Sequence, residues 1–473
     1  MNGPNVTEEP VKLEGFGPKD LYQSREKIFT RFVGGFFQRL RFFTGWPLLT
    51  GYFLLPWINW GGQQAVLFDL PARQFHIFTL TFYPQDFWLL GWMLMIAAFG
   101  LFTITTLVGR LWCGYTCPQT VWTAIFMWAE QVAEGPRHAR IRLDNAPWSF
   151  EKFRKRATKH GMWLGFAALT GITFVGYFTP MRELVPDLIT FEAHGWAVFW
   201  SLFFTGATYT NAGWMREQVC IYMCPYARFQ SAMFDKDTLI VSYDEARGEP
   251  RGSRKRNKGA DAANKLGDCI DCQLCVQVCP VGIDIRNGLQ YQCIGCAHCV
   301  DACDQVMEKM DYPKGLVRYT TEHELSGGTT HWLRPRAIGY AIVLLIMMTA
   351  FTVALFSRSA FEVDVLRDRG ELSRVNSAGE VVNQYSLKIL NKTQQGQAYE
   401  IRVISDLPIS ISRSEQLDES LTSLPGEVLD LPLALSVPRE AVTLPSTSIT
   451  VELCEVGGTH CDSEVTTFFG PMR

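Results

Sequence analysis

Five stretches of the chain, 42–60, 87–109, 162–178, 196–214 and 337–356, are long and apolar enough to cross a bilayer, which takes about 20 residues each. Nothing else in the sequence narrows the fold so far, because a backbone in lipid must satisfy its own N–H and C=O groups, and a single segment does so only as a helix. The fifth stretch, AIGYAIVLLIMMTAFTVALF, is the least ambiguous, whereas Gly and Thr interrupt the third and fourth. All five are read as spanning. The composition agrees, with 13% aromatic and only 19% charged residues among 473. A multi-domain membrane protein with a five-helix transmembrane bundle is therefore expected.

Lys and Arg in the connections set the orientation, since the side that keeps them is normally cytoplasmic. The connections 61–86 and 180–195 hold only Arg73 and Arg182, while 110–161 carries nine basic residues and the region after the fourth stretch adds RGEPRGSRKRNKG. The N-terminus is expected inside and the C-terminus outside. No cleavable signal is read ahead of the first span. In REKIFTRFVGGFFQRLRFF, Ile28, Phe32, Phe36 and Leu40 recur every four residues among basic ones, which predicts a helix lying on the inner membrane surface.

Residues 358–473 carry a net charge of −7 against +4 for the rest, so the tail reads as a separate domain in another compartment. Alternation in VVNQYSLKIL, QAYEIRVIS, SITVELCEV and SEVTTFF marks strands, and about seven short strands in roughly 100 residues suggest an immunoglobulin-like sandwich.

The fourteen cysteines fall into three sets. The middle set, CIDCQLCVQVCPVGIDIRNGLQYQCIGCAHCVDAC, repeats C-x2-C-x2-C-x3-C, the ligand run of a two-cluster ferredoxin. Three thiolates in one tight loop cap three corners of an iron–sulfur cube, and the fourth reaches the other cube. One [4Fe–4S] cluster is thus assigned to Cys269, Cys272, Cys275 and Cys303, and the second to Cys293, Cys296, Cys299 and Cys279. Asp304 stands where proline is common in such runs. Zinc or disulfides fit this double spacing poorly on the reducing side of a membrane.

A second set lies in WCGYTCP and CIYMCP, that is Cys113, Cys117, Cys220 and Cys224, each pair followed directly by proline at the cytoplasmic end of a span. Pro118 and Pro225 suit the first position of a new helix, which places Cys117 and Cys224 at helix N-termini, where thiolate is favoured. Two related hairpins would bring the four thiols together. They are open to three roles: packing, a redox dithiol or further cluster, or a soft-metal site, since thiolates prefer Cu(I) to harder ions. Cys454 and Cys461, flanking EVGGTH on an outside hairpin, suit a disulfide first and a copper-docking pair with His460 second.

The joint order of WCGYTCP, CIYMCPYARFQ, the double ferredoxin run, a late fifth span and an outside β domain resembles the cytochrome c oxidase accessory proteins called CcoG, FixG or RdxA, over nearly the whole chain. The resemblance implies an oxidoreductase (a cupric reductase) that reduces Cu(II) to Cu(I) for assembly of a cbb-type oxidase in the bacterial inner membrane. It carries the cluster ligands onto the eight cysteines above, and the catalytic and copper-binding thiols onto Cys113, Cys117, Cys220 and Cys224. The rival from another class is a quinol-oxidising polyferredoxin subunit feeding a respiratory reductase. Expected partners are lipid, a cytoplasmic electron donor, and oxidase subunits or copper chaperones; nothing points to nucleic acid, and a homodimer is left open.

The expected segments are a cytoplasmic 1–41 with the interfacial helix, a four-helix region 42–245 with both CxxxCP motifs, a basic linker 246–266, the double-cluster domain 267–310, a connector 311–336, the fifth helix 337–357 and a periplasmic immunoglobulin-like domain 358–473. His76, His160 and His194 lie in loops or at span ends, which disfavours a membrane haem. No Gly-rich nucleotide motif is present. Met93, Met95, Met347 and Met348 read as filler, and the run 251–258 as a solvated linker.

Overall fold

The structure, a computed structural model, describes residues 27–253, 266–368, 373–393, 395–412, 421–424, 426–458 and 460–470. Each expected span falls within or overlaps a helix: α1 (Phe36–Leu54), α2 (Phe87–Val108), α6 (Phe150–Val175), α8 (Gly195–Thr208, continued as π-helical turns to Met215) and α13 (Pro335–Phe356). Of these only α2 with its leading turn, 25 residues from Pro84, and α13, 22 residues, are long and apolar enough to cross a membrane. The others fall short for local reasons: α1 carries Arg39 and Arg41, α6 opens on EKFRKRATKH, and α8 runs only 14 residues before its π-helical turns. In α13 Leu345 is 65% and Ile346 61% exposed, and Ala337 is the buried residue of the helix. Apolar side chains thus stand outward along much of this 22-residue helix.

The sequence expectation for 25–43 is corrected. Residues 27–34 are not helical, and α1 begins at Phe36. Val33 packs instead with Val278 and Ala302. The orphan N–H groups of the first turn of α1 meet a carboxylate from far along the chain: Phe37 N and Gln38 N donate to Asp301 at 3.2 and 2.8 Å. Most of the basic run 251–258 lies outside the described residues.

Connections gather at the two ends of the helices. At one end, β1 (Val66–Asp69), β2 (Gln74–Ile77) and β3 (Leu80–Phe82) form an antiparallel sheet that touches the α6 end through Phe68 N to Tyr177 O, 2.7 Å. The same end holds α7 (Met181–Thr190) and the tail, tied by a buried Arg358–Asp86 pair at 2.5 Å and by Tyr83 Oη donating to Asn391 O at 3.3 Å. At the opposite end stand α3 (Leu111–Tyr115), α4 (Pro118–Glu134), α5 (Arg137–Asn145), α9 (Pro225–Ser231) and the cysteine-rich lobe with α10 (Leu274–Gln277), α11 (His298–Met310) and α12 (Glu322–Leu325). Strands β4 (Ile240–Tyr243) and β5 (Val317–Thr320) pair antiparallel and strap that lobe to the helices.

The tail is a two-sheet sandwich built from β6 (Phe361–Arg367), β7 (Glu380–Asn391), β8 (Gln397–Ile404), β9 (Ser410–Ser412), β10 (Val428–Pro438), β11 (Ser446–Glu455) and β12 (Cys461–Phe469). One sheet orders β9-β10-β7-β6, and the other places Thr422–Ser423 beside β8-β11-β12. Alternate residues point inward at the centre of the sandwich: Tyr385, Leu387 and Ile389 from β7 meet Leu433, Leu435 and Val437 from β10 and Val451 and Leu453 from β11. Each such burial stabilises by about 1.5–3 kcal/mol, which specifies register as well as stability. Cys454 and Cys461 are register partners joined by a disulfide.

Candidate metal centre

The eight ferredoxin-run cysteines line two cavities. Cys269, Cys272, Cys275 and Cys303 surround one with Val306, Met307 and Leu316. Cys279, Cys293, Cys296 and Cys299 surround the other with Ile283, Ile285 and Ile294, and Cys275 stands between the two. Each cavity thus takes three thiols from one run and its fourth from the other: Cys303, on α11, reaches the first cavity, and Cys279, just past the end of α10, reaches the second. Sulfur donors, an apolar wall and N–H groups aimed at sulfur, such as Gly295 N to Cys293 at 3.5 Å, fit a cubane cluster. Burial pushes Cys275 up to about 11 and Cys279 and Cys303 up to about 12. Metal binding must therefore displace their protons.

The second cysteine set converges from two separate chain segments. Cys117 and Cys224 are the N-cap residues of α4 and α9, with Pro118 and Pro225 at the first helical positions. Cys113 lies on α3 and Cys220 on the π-helical turn Val219–Met223. Cys220 sits near enough to Cys117, Cys113 and Cys224 for their charges to act on it. Thiolate character at the start of α4, expected from the sequence, does not follow at Cys117. Burial raises Cys117 although its sulfur accepts from the N–H groups of Thr120 and Gln119, and burial pushes Cys113 up to about 11 and Cys220 to about 12. Desolvation outweighs the dipole here. Groupings of three donors within 4.8 Å occur, among the described residues, at Asp237, His323 and His331 and at Glu452, Cys454 and Cys461, but not among these four thiols. The second grouping holds disulfide sulfurs and cannot ligate as thiolate.

The thiol set abuts the second cavity. A Cβ on Gly114, inside WCGYTC, would lie 2.8 Å from Gly295 O, inside CIGC. Only glycine allows so close a backbone approach. Cys113 packs, as Cys279 does, against the buried cluster of Val281, Ile294 and Cys296. Its sulfur is 3.6 Å from Gln230 Oε1, and Gln230 is fully buried. Arg110 locks three pieces at once: it donates to Tyr291 O at 2.6 Å and Cys293 O at 3.2 Å in the lobe, and to Ala227 O at 2.9 Å on α9. His298, at the second cavity, is held neutral by burial and by Arg41, its pKa pushed down to about 3.

Sequence reasoning missed Arg110, Gln230 and the ionic network that joins the two CxxxCP segments. Glu130 on α4 pairs with Arg140 at 3.0 Å and with Arg216, between the two π-turns, at 2.5 Å. Lys159 pairs with Glu134 at 2.9 Å, and both Lys159 and Arg216 lie over the Trp163 ring. Arg140 and Lys159 had counted only as basic loop charges, yet both are buried. The signal available was two Glu four apart in the apolar stretch PQTVWTAIFMWAEQVAE, since a charge among such neighbours is stable only with a partner.

Three family models match the chain: "4Fe-4S binding domain" over 90–131, "4Fe-4S dicluster domain" over 215–322 and "IG-like fold at C-terminal of FixG" over 351–471. The sequence is 41% identical over 408 residues to the nitrogen fixation protein FixG of Rhizobium meliloti, covering 78% of each chain. It is 37% identical over 454 residues to the protein RdxA of Cereibacter sphaeroides, covering 93% of this chain and 95% of that one. A crystal structure of a FixG-related protein from Vibrio parahaemolyticus matches at 30% identity and a TM-score of 0.22, covering 24% of this chain and 100% of that one.

Proposed function

This chain belongs to the FixG and RdxA family of iron–sulfur electron-transfer proteins, and from that premise we propose that it reduces Cu(II) to Cu(I) for assembly of a cbb-type cytochrome c oxidase. The observation that carries the proposal is the close backbone contact of Gly114 with Gly295, which puts the four-thiol site against the second cluster cavity. Cys269, Cys272, Cys275 and Cys303 would hold one cluster, and Cys293, Cys296, Cys299 and Cys279 the other. When bound, two [4Fe–4S] clusters supply one-electron carriers between a cytoplasmic donor and the thiol face.

The chain's own residues do the rest. Arg110 and Gly114 hold the thiol loop against the lobe, and Glu130 with Arg216 holds the two CxxxCP segments together. At the site Cu(II) takes one electron and becomes Cu(I), while the thiols that ligate it lose their protons. Soft thiolate favours the reduced ion and so the forward direction. In this proposal five helices span the inner membrane, with the N-terminus and cysteine lobe cytoplasmic and the sandwich periplasmic. Clustering of 59–82, 176–194 and the tail at one end supports that sidedness, as do the basic connections at the other.

A second role for the same thiols has its own support. The 4Fe-4S binding domain match over 90–131 contains Cys113 and Cys117 as its only cysteines, and no three of the four sulfurs lie within 4.8 Å, a span that a single tetrahedral ion would need. The set would then hold a further cluster, and copper would be reduced beside it.

Replacing Cys113, Cys117, Cys220 and Cys224 with serine should abolish Cu(II) reduction by chemically reduced protein, followed with a Cu(I)-specific chelator. Iron should stay at about eight per chain if the thiols take copper, and fall from about twelve to eight if they hold a cluster. Reduction of copper at the wild-type rate would overturn both; oxidation of a quinol analogue by a wild type inert to copper would favour a respiratory role.

A further inference from the structure

Asp237, His323 and His331 stand apart from every cysteine set and have no place in the mechanism above. Asp237 comes from the turn between α9 and β4, His323 from α12, and His331 from the segment leading into α13. Pairing of Ile240 with Thr320 brings these segments together, and backbone contacts then fix them. His323 N donates to Lys236 O at 3.0 Å, and His331 N donates to Asp237 Oδ1 at 3.0 Å. The imidazole Nδ1 of His323 lies 3.0 Å and that of His331 3.6 Å from the same Asp237 oxygen, and all three donor atoms fall within 4.8 Å of one another.

A first-row ion with nitrogen and oxygen ligands at about 2.0–2.2 Å separates adjacent donors by about 3.0–3.5 Å. The separations here, 3.0 and 3.6 Å to Asp237 with all three donors within 4.8 Å, lie close to that. The neighbouring carboxylate does not compete, because Arg334 Nη1 pairs with Asp235 at 2.6 Å. His331 is 63% and His323 41% exposed at the side chain, so solvent completes one face. Three protein donors with an open face make a site that loads and unloads, unlike a closed structural one.

We propose that Asp237, His323 and His331 form an open binding site for a divalent transition-metal ion, Cu(II) being the ion it holds best. Two imidazoles and a carboxylate suit Cu(II) and place it above the other first-row divalent ions, while offering nothing soft to Cu(I). The site would collect the oxidised ion at the same end of the helices as the CxxxCP thiols. It is anchored there by Arg334 and Thr238, which both bond Thr106 O at the end of α2. The choice of copper rests on the function proposed above; the existence of the site does not.

The test uses the full chain with its clusters loaded and oxidised, carrying the four CxxxCP serine substitutions so that those thiols are silent. Calorimetry with Ni(II), which is not reduced, should give one site per chain, and EPR with one equivalent of Cu(II) should show coupling to two imidazole nitrogens. His331→Gln, at an exposed position, should weaken binding about tenfold or more and remove one nitrogen coupling, and His323→Ala with His331→Gln should remove the site. Unchanged cluster absorbance would certify the fold. Equal Ni(II) affinity in wild type and double variant, or a Cu(II) signal without nitrogen coupling, would overturn the proposal. Because no reductant is present, failure of copper reduction leaves these readings untouched.

Discussion

The two cysteine sets at the same end of the helices are built in opposite ways. The lobe gathers eight thiols from 35 consecutive residues, where loop spacing alone presents three to each cavity and the fourth comes from the other run. The CxxxCP site takes four thiols from segments about 100 residues apart, and nothing local brings the halves together. Its assembly depends on Glu130, Arg216, Arg110 and Gly114. A cluster site written into a local run should survive damage around it, whereas a site assembled by long-range contacts should fail when any tie is cut.

Cutting the local set itself has the largest effect. Cys293→Ser removes a soft ligand that serine, harder and rarely ionised, does not replace, so cluster iron should fall by about four per chain, read by iron and sulfide analysis with visible absorbance. Copper reduction should be lost with it. If iron stays at the wild-type level, Cys293 is not a ligand and the assignment of the second cavity is wrong.

Next comes Glu130→Ala. It leaves Arg140 and Arg216 buried without their carboxylate, a cost of about 3–5 kcal/mol. The expected outcome separates the two sets: a lowered thermal transition and more than tenfold slower copper reduction, with iron in the lobe retained. Simultaneous loss of iron would show that the lobe depends on the helix ties and would remove the contrast.

The smallest change, Gly114→Ala, forces a Cβ against Gly295 O, with a strain of about 1–3 kcal/mol. Electron delivery to the thiol site should slow several-fold while both cluster signals remain, measured by stopped-flow from reduced protein. No change in rate would mean that this contact is not the route.

Much of this was legible in the chain. Double spacing at 269–303 announced the two four-thiol sets because ligand geometry is local, and alternation in VVNQYSLKIL announced strands because the side-chain period is two. Pro118 and Pro225 marked helix starts, and Cys117 and Cys224 do sit at the N-caps. The start of α1 was misplaced because the four-residue repeat of Ile28, Phe32, Phe36 and Leu40 fits an interfacial helix as well as it fits nothing at all. Asp301, 264 residues away, decides where the helix begins.

The sequence by itself determined which thiols share a cavity, where the long apolar helices lie and which region is a sandwich, since these follow from spacing and period. Tertiary structure alone decided that the thiol site lies against the second cavity and not the first, that Glu130 and Arg216 join its halves, that burial overrides the helix dipole at Cys117, and that two histidines and an aspartate meet at 237, 323 and 331. Proximity between distant segments, and the desolvation that comes with it, are set by how helices pack, and no local pattern encodes them.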